Sequence, residues 1–503
     1  MSELTTMPEL TTIPDVDTIA GLIKDLVAYV ARQSPYLIDD AGLDTLGIDR
    51  LFILAGIQRC FGVQVPPSEI RTDIRTVGQL CQVLGTFVHG ALRTRRPEPR
   101  PSAPRRLLIV GTGVPEHEQA FARRGWRATM LTHYDVAHEG PPVGVINGVI
   151  DQVEAADWAR PFDVIGRIVD LYAAPHIERV VPVDEFALLP AALATTQLGI
   201  PGLSLRAVRN SRDKFHMRRV LEQAGLGQVR YAACHNLAQA QAFLDRVGGP
   251  IILKPVSGTG SDGVSLVASG EELASAFKLA AEADGFTGIL CEEYIEGPEV
   301  SLEGYSVDGR FVPVALTDKL TDERFLEIGH QQPTSHPQSV FQAAADITGR
   351  ALAALGVENG VSHTELRIST RGPVLIETHT RMGGDRLHVL THLTTGVDLA
   401  DLMVAFSLGE AVDARPEPQG RAAAIRFLVG RPGRVRGVRV PALQPGNGIH
   451  AVVVPTVGKA LSGRSSSRER LGHVIATGPT PELAGRTAES FIEQIHIDYF
   501  DQI

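Results

Sequence analysis

The chain has 503 residues, 44% of them hydrophobic and 21% charged, a balance that argues against disorder or a fibrous repeat and, at roughly 150 residues per domain, leaves room for about three domains. Its net charge of −10 argues against a nucleic-acid backbone as main partner. The four cysteines, Cys60, Cys81, Cys234 and Cys291, form no CxxC pair, which argues against structural zinc and a disulfide framework and fits reduced thiols in a cytoplasmic protein. Only 6 of the 48 basic residues are lysine, so each lysine's position carries information.

No basic, apolar leader opens the chain. VDTIAGLIKDLVAYVARQ, from Val16, has apolar residues at helical spacing. A second helix is predicted over about 49–61, a Pro66-Pro67 break follows, and Thr76 opens a last helix. LGIDRLFILAGIQRCFGVQVPPSEIRTDIRTVGQLCQVL resembles the second half of an acyl carrier protein. In that resemblance Gly47 stands where the phosphopantetheine serine belongs, and no serine occurs from 35 to 67. Residues 1–92 are therefore expected to form a degenerate, unloaded carrier-like bundle, either a docking or structural module or a relic. Residues 93–106 hold six Arg and four Pro and read as a solvated linker.

Residues 107–205 read as an α/β domain with a mostly parallel sheet. RRLLIVGTG, WRATMLTH, FDVIGRIV and RVVPV are read as its strands. GTGVPE lacks the third glycine of a dinucleotide fingerprint, and His133 rather than an acid closes the second strand, which disfavours an NAD site. The uncharged stretch Phe186–Leu205 holds two prolines and two glycines, so it reads as a buried helix and turn, not a membrane span.

From about 206 the texture changes to helices mixed with hairpins. DKFHMRRVLEQAG is predicted helical. PIILKP and VSLVAS are predicted strands flanking SGTGSDG, whose Gly258, Gly260 and Gly263 spell GxGxxG without the helix a dinucleotide site needs. Backbone N–H groups of such a hairpin can close over phosphates. Lys254 lies in the preceding apolar strand, where an unpaired ammonium is costly and a triphosphate would supply its counter-charge; the alternative is a hairpin with a snorkelling lysine. In CEEYIEGPEVSLEGYSV an extended backbone could offer a C=O and an N–H to an adenine edge while Glu299 accepts from a ribose; the alternative is an acidic strand edge. GVSHTELRIS and GPVLIETHTR form a hairpin centred on Arg371. That centre sets Glu365 opposite Glu377, about 5 Å apart at Cβ. Facing carboxylates repel, and a divalent cation between them would remove the penalty. Alternation puts His379 and Arg381 on the Glu377 face. An exposed acidic hairpin is the alternative.

These motifs, in this order, make residues 107–503 resemble the ATP-grasp ligases of the carboxylate–amine type, which include the L-amino-acid ligases. The resemblance implies an N-terminal α/β domain, an α+β ATP-binding domain (206–414) with an antiparallel flap, and a C-terminal closing unit (415–503), behind the small helical bundle. It implies Lys214 and Lys254 as nucleotide-phosphate lysines and residues 257–263, with Ser257, Gly258, Gly260, Ser261 and Gly263, as the phosphate loop. Glu293 and Ile295 become the backbone adenine contacts, Glu299 the ribose ligand, and Glu365 and Glu377 the magnesium ligands. His379 stands where the family has Asn and contacts metal or substrate. Arg381 is implied for the transferred phosphate or the developing oxyanion, and Glu327 and His330 of FLEIGHQQPT for the amino acid. ATP and one or two Mg²⁺, with Mn²⁺ as substitute, are the implied cofactors. The implied reaction activates a carboxylate as an acyl phosphate and joins it to an amine, in specialised metabolite (antibiotic) biosynthesis. Two alternatives stay open: the same chemistry on a carrier-bound substrate, with residues 1–92 as the docking module, and a non-catalytic nucleotide-binding regulator. Expected partners are amino-acid or amine substrates, a carrier or biosynthetic partner on residues 1–92, and a second copy of the chain as a homodimer. Neither nucleic acid nor membrane is expected.

Overall fold

A computed structural model describes residues 13–31, 50–69, 74–94, 105–133, 149–158, 161–173, 177–256, 260, 263–282, 288–322, 326–444, 446–461, 467 and 470–500. Gly47, most of the Arg/Pro linker, and Ser257, Gly258 and Ser261 of the glycine loop lie outside the described residues. The chain divides into two compact units, residues 1–211, 355–360 and 400–412, and residues 212–354, 361–399 and 413–503.

The first unit begins with α1 (Val16–Ala31), α2 (Arg50–Phe61) and α3 (Val77–Thr94). A reciprocal cap starts α3: the Gln79 N–H donates to Thr76 Oγ1 and the Gln79 side-chain oxygen accepts from the Thr76 N–H, both at 3.3 Å. There follow β1 (Arg106–Val110), α4 (Pro115–Arg123), β2 (Arg127–His133), β3 (Ile150–Ala156), α5 (Pro161–Ala173), β4 (Ile177–Pro182), α6 (Glu185–Leu198) and α7 (Leu205–Arg212). The strands form a parallel sheet in the order β3-β2-β1-β4. FDVIGRIV, expected as a strand, is the body of α5. Its buried Val164, Ile165, Ile168 and Tyr172 recur at helical spacing, and a short apolar run cannot separate the two periods by itself. Asp184 caps α6 by accepting from the Ala187 N–H at 3.0 Å, and Gly199 (φ 66°) ends it. Among the described residues no single helix is long and apolar enough to cross a membrane.

α1, α2 and α3 do not stand apart from the sheet. Ile19, Ile23, Ile57, Leu80 and Leu84 are buried in the same continuous apolar cluster as Val164, Ile168, Ala187, Ala191 and Val208. α2 packs on α5 and α6. Arg59–Asp163 (3.2 Å) and Arg209–Asp25 (3.4 Å) are ion pairs at its edge.

The second unit holds the strands that matter for the site. After α8 (Lys214–Gln223), β5 (Tyr231–Cys234), α9 (Leu237–Val247), β6 (Ile251–Pro255), β7 (Ser265–Val267), α10 (Gly270–Ala281) and β8 (Ile289–Glu293) form a four-stranded sheet with order β5-β8-β6-β7 and two helices. The larger sheet begins with β9 (Glu299–Val307), β10 (Arg310–Thr321), β11 (Glu327–Gln332), β12 (Gly360–Ser369) and β13 (Gly372–His379). It continues through β14 (Ala422–Val429), and β15 (Gly433–Arg439) departs into a small sheet with β17 (Ala460–Leu461) and β19 (His496–Tyr499). With β16 (Ile449–Val453) and β18 (Arg470–Gly478) the large sheet has the order β13-β12-β9-β10-β11-β14-β18-β16. The stretch expected as a separate closing unit thus extends the same sheet, because β14 pairs with β11 along Gly329–Gln332.

The turn from β8 to β9 needs a glycine. Gly297 has φ 135°, and a Cβ there would lie 2.1 Å from the Ile368 carbonyl oxygen. This close passage lets Ile368 N–H donate to the Pro298 carbonyl (2.9 Å) and ties the Glu293–Glu299 segment to the β12–β13 hairpin.

Candidate active site

A cavity of about 250 Å³ opens in the second unit. Lys214, Lys254, Gly260, Glu293, Ile295, Glu299, Glu327, His330, Glu365, Glu377, His379 and Arg381 all line it. These residues come from seven separate stretches of chain, so the fold brings together nearly the whole set expected from the sequence. Gly263 is not among the lining residues; it has φ 74°, and Gly260 has φ 69°.

The β12–β13 hairpin is antiparallel and pairs Glu365 with Glu377 and His363 with His379. The register arises differently from the expected one. The loop is the two residues Thr370 and Arg371 between paired Ser369 and Gly372, and a bulge after Glu365 leaves Ile376 unopposed, which restores the glutamate pairing.

Repulsion between the facing acids is already answered by the protein itself. Lys214 Nζ lies 2.9 Å from Glu377 Oε1, and Lys319 Nζ lies 2.7 Å from Glu365 Oε1. Lys319 also touches Glu299 Oε1 at 2.7 Å and stands 3.8 Å from Glu327. Lys254 is likewise not waiting for a counter-charge: Glu292, buried on β8, takes Lys254 at 2.7 Å and Arg218 at 2.5 Å. Arg218 also donates through Nη1 to the Leu375 carbonyl and through Nη2 to the Ile376 carbonyl, both at 2.8 Å, which fastens α8 to the hairpin. Burial pushes the Glu292 carboxyl up, but the charges of Arg218 and Lys254 outweigh it and hold it down at about 2. Burial likewise opposes charge on Glu365 and Glu377, yet Lys319 on one and Lys214 on the other hold both well below the usual carboxylate range. Burial disfavours the Lys319 ammonium, and Glu299, Glu365 and Glu327 together keep it protonated.

Glu299 is held by Lys319 and by Arg367 (3.1 Å), whose guanidinium lies over the Tyr294 ring and donates to the Ile295 and Gly297 carbonyls at 3.3 Å. Ile295 is buried against Val229 and Val374 under the strand edge. The Glu293 carboxylate faces outward to Arg230 at 2.7 Å. His379 Nε2 sits 2.9 Å from Glu377 Oε1, so its ring serves a carboxylate here. Arg381 Nη1 donates to the Met382 carbonyl at 2.9 Å beside the cavity.

At the other end Glu327 accepts from Ser467 Oγ at 2.8 Å, and His330 Nε2 lies 3.0 Å from Asp385 Oδ2. Arg470 clasps both oxygens of Asp385 while its guanidinium lies 3.8 Å over the Phe427 ring. Asp385 and Arg386 both hold left-handed backbone, φ 55° and 60°, a conformation that costs a non-glycine residue of order 1–3 kcal/mol.

Lys319, His363, Ser467 and Arg470 were missed in the sequence. Lys319 carried a signal, being one of only six lysines in the chain and lying just after the apolar run Phe311–Leu316. Ser467 and Arg470 carried none, since they reach the site only through the pairing of β14 and β18. Among the described residues no group of three His, Cys, Asp or Glu side chains is arranged to hold a metal ion on its own.

Residues 247–388 match the ATP-grasp domain family, and residues 426–499 match the L-amino acid ligase C-terminal domain 2 family. The alanine–anticapsin ligase of Bacillus subtilis is 28% identical over 265 residues, 48% of this chain and 56% of that protein. Carnosine synthase 1 of Gallus gallus is 30% identical over 285 residues, 52% of this chain and 30% of that protein. The chain thus spans about half the length of the first of these relatives. Among solved structures, an L-amino acid ligase from Bacillus licheniformis superposes with a TM-score of 0.66 at 22% identity, over 80% of this chain and all of that one. The chain therefore contains an ATP-grasp domain followed by an L-amino acid ligase C-terminal domain 2, and its fold is the ATP-grasp fold.

Proposed function

We propose that the protein is an ATP-dependent carboxylate–amine ligase that activates the carboxylate of an amino acid as an acyl phosphate and joins it to an amine, with release of ADP and phosphate. The observation that carries this is the Glu365–Glu377 pair, each acid held by its own lysine at one cavity wall, with Lys254 beside it and Glu327 and His330 facing the same space. The relatives named alanine–anticapsin ligase and carnosine synthase 1 support the same reading.

The donor set fits magnesium. Magnesium binds through one or two carboxylates and completes its shell with water and substrate phosphates, so two facing glutamates without a third protein ligand suit it, and Mn²⁺ would share the same oxygens. Glu365 and Glu377 would hold the ion, which when bound neutralises charge on the phosphates. His379, engaged with Glu377, orients that carboxylate and is not needed as a ligand.

Every lysine in the wall has a carboxylate partner, so the polyanionic nucleotide has to displace one. With nucleotide bound, Lys214 and Lys319 would exchange Glu377 and Glu365 for phosphate oxygens, which would leave those carboxylates free to hold the cation. Lys254 adds phosphate to its partner Glu292. The backbone at Gly260 and Gly263 covers the triphosphate and excludes water. Glu299 accepts from the ribose, and the strand edge at Glu293–Ile295 receives the base. Arg381 neutralises the phosphoryl group as it passes to the substrate carboxylate oxygen, breaking its bond to ADP. Glu327, acidic and anchored by Ser467, takes the substrate ammonium, and His330, held by Asp385 through Nε2, lines the same space. The amine then attacks the acyl carbon, and phosphate leaves.

Incubation with ATP, Mg²⁺ and a panel of amino acids, followed by phosphate release and mass spectrometry of dipeptides, tests the reading. Condensation products with stoichiometric ADP are expected. Tight nucleotide binding with no product from any pair would overturn it. For residues 1–92 we propose a fixed structural role in the first unit, since their helices share its core.

A further inference from the structure

Behind Glu365 lies a buried chain of side chains that the proposed chemistry does not use. Glu303, on β9, is fully buried. Its Oε1 accepts from Ser301 Oγ at 2.9 Å and lies 2.7 Å from His363 Nδ1. The other imidazole nitrogen, Nε2, lies 3.3 Å from Glu365 Oε1. Both ring nitrogens therefore face carboxylate oxygens, which only accept, so the ring bridges them as a donor on each side. The arrangement recurs across the hairpin: His363 pairs with His379 in register, the two rings stack at 6.1 Å and 23°, and His379 serves Glu377 as His363 serves Glu365.

Two observations argue that this chain has a task beyond packing. A carboxylate without exposure is costly unless something requires it, and Glu303 Oε2 has no hydrogen-bond partner among the described residues. Gly383, two residues after Arg381, also presses against the pair: a Cβ there would lie 2.8 Å from His363 Nδ1 and 3.0 Å from Glu303 Oε2. The Arg381 loop is thus seated on the same two side chains that back Glu365.

We propose that Glu303 and His363 form a positioning pair that fixes the Glu365 carboxylate for the metal–nucleotide complex. Ser301 orients Glu303, Glu303 orients the imidazole, and the imidazole holds one Glu365 oxygen while Lys319 is exchanged for phosphate. The proposal rests on the reading of Glu365 as a magnesium ligand.

The test is calorimetric binding of ADP to the full chain across a Mg²⁺ series, without amino acid, and in EDTA. His363→Ala is expected to raise the Mg²⁺ concentration for half-maximal tightening at least about 10-fold, within the 10–100-fold range typical when a partner of a metal ligand is removed, and to leave ADP affinity in EDTA unchanged. The double variant H363L/E303Q removes the donor without stranding a buried charge. It is expected to give the same shift, and it carries the test if H363A fails to fold. A folded variant of either kind with wild-type Mg²⁺ dependence, while Glu365→Gln loses that dependence, overturns the positioning role. Wild-type Mg²⁺ dependence in E365Q itself overturns the assignment of Glu365, and the pair's role with it.

Discussion

Replacing Glu292 by Gln removes the one carboxylate that two buried cations share. Arg218 keeps its bonds to the Leu375 and Ile376 carbonyls, but Lys254 loses the partner recorded for it. Breaking a buried pair by deleting one member costs about 3–5 kcal/mol, because the remaining charge is left uncompensated. The depressed carboxyl of Glu292 reflects the same two contacts in another form. Its carboxyl falls from an ordinary 4.5 to about 2 in the folded chain, which at 1.36 kcal/mol per unit is on the order of 3 kcal/mol. The side chain is only 4% exposed, so solvent screening does not discount this. The sign follows from the depressed value: the stability is fully present above about pH 4.5 and is lost as pH falls through 2. Hydrogen exchange at β6 and β8, which pair directly through Ile252–Glu292 and Leu253–Cys291, reads local opening in the same energy units. The expectation is a loss of about 3–5 kcal/mol of protection in E292Q at pH 7, shrinking as pH approaches 2 because the wild type loses its advantage there. Mg²⁺ and a non-hydrolysable ATP analogue should restore more protection to E292Q than they add to the wild type, since phosphate gives Lys254 a counter-charge. Unchanged protection in E292Q at pH 7, or equal ligand gains in both proteins, would refute the reasoning.

Lys319→Met leaves Glu299 and Glu365 facing each other without their shared cation; nucleotide affinity measured in EDTA is expected to fall at least about 10-fold, roughly 1.4 kcal/mol, and an unchanged affinity would remove Lys319 from the phosphate path. Ile57→Ala empties a fully buried position of α2 and should cost about 2–5 kcal/mol, lowering the unfolding temperature reported by Trp126 and Trp158 fluorescence; an unchanged transition would mean that the helices fold apart from the sheet. Gly297→Ala sets a Cβ 2.1 Å from the Ile368 carbonyl at φ 135°, so thermal denaturation should show a clear drop in midpoint, accompanied by weaker adenine-nucleotide binding through the displaced Tyr294–Glu299 turn. Ser467→Ala removes the hydroxyl on Glu327 and is expected to raise the KM for the amino acid several-fold with little change in the KM for ATP; equal changes in both would deny Glu327 a role confined to the amino acid.

How much of this was legible in the sequence depends on the range of each interaction. The facing glutamates could be read because a hairpin is local: once strands 360–369 and 372–379 are recognised, register follows from counting, and the bulge at Ile376 happens to compensate for a turn centred between Thr370 and Arg371 instead of on Arg371. The capping pair Thr76–Gln79 and the glycine at 297 are equally local. FDVIGRIV failed because eight residues of mixed apolar character satisfy both periods, and only packing on both sides decides. Lys254, Lys214 and Glu377 were found, but the ion pairs that neutralise the two lysines were not. Glu292 stands 38 residues from Lys254 and Glu377 stands 163 from Lys214, and no sequence spacing encodes pairs at such separations. Arg470 and Ser467 belong to the same class, since they arrive through a sheet edge that only the tertiary fold closes.

The missed pairs change what the site is physically. Read from spacing alone, it is a set of bare charges awaiting a nucleotide: a lysine lacking a counter-ion and two acids lacking a cation. The structure instead closes every one of those charges on another side chain within 3 Å. On the proposed function, binding would be an exchange of partners. Lys214–Glu377 and Lys319–Glu365 contacts would give way to lysine–phosphate and carboxylate–metal contacts, so only the difference would appear as affinity. Nucleotide alone would strand two carboxylates, and metal alone would strand two ammonium groups; each half-exchange leaves buried charge unpaired. The two ligands should therefore bind cooperatively. The coupling is reciprocal: the factor by which Mg²⁺ tightens ADP must equal the factor by which ADP tightens Mg²⁺, beyond what their association in solution supplies. Replacing Glu365 and Glu377 together by Gln removes the exchange from both sides, and with it that excess.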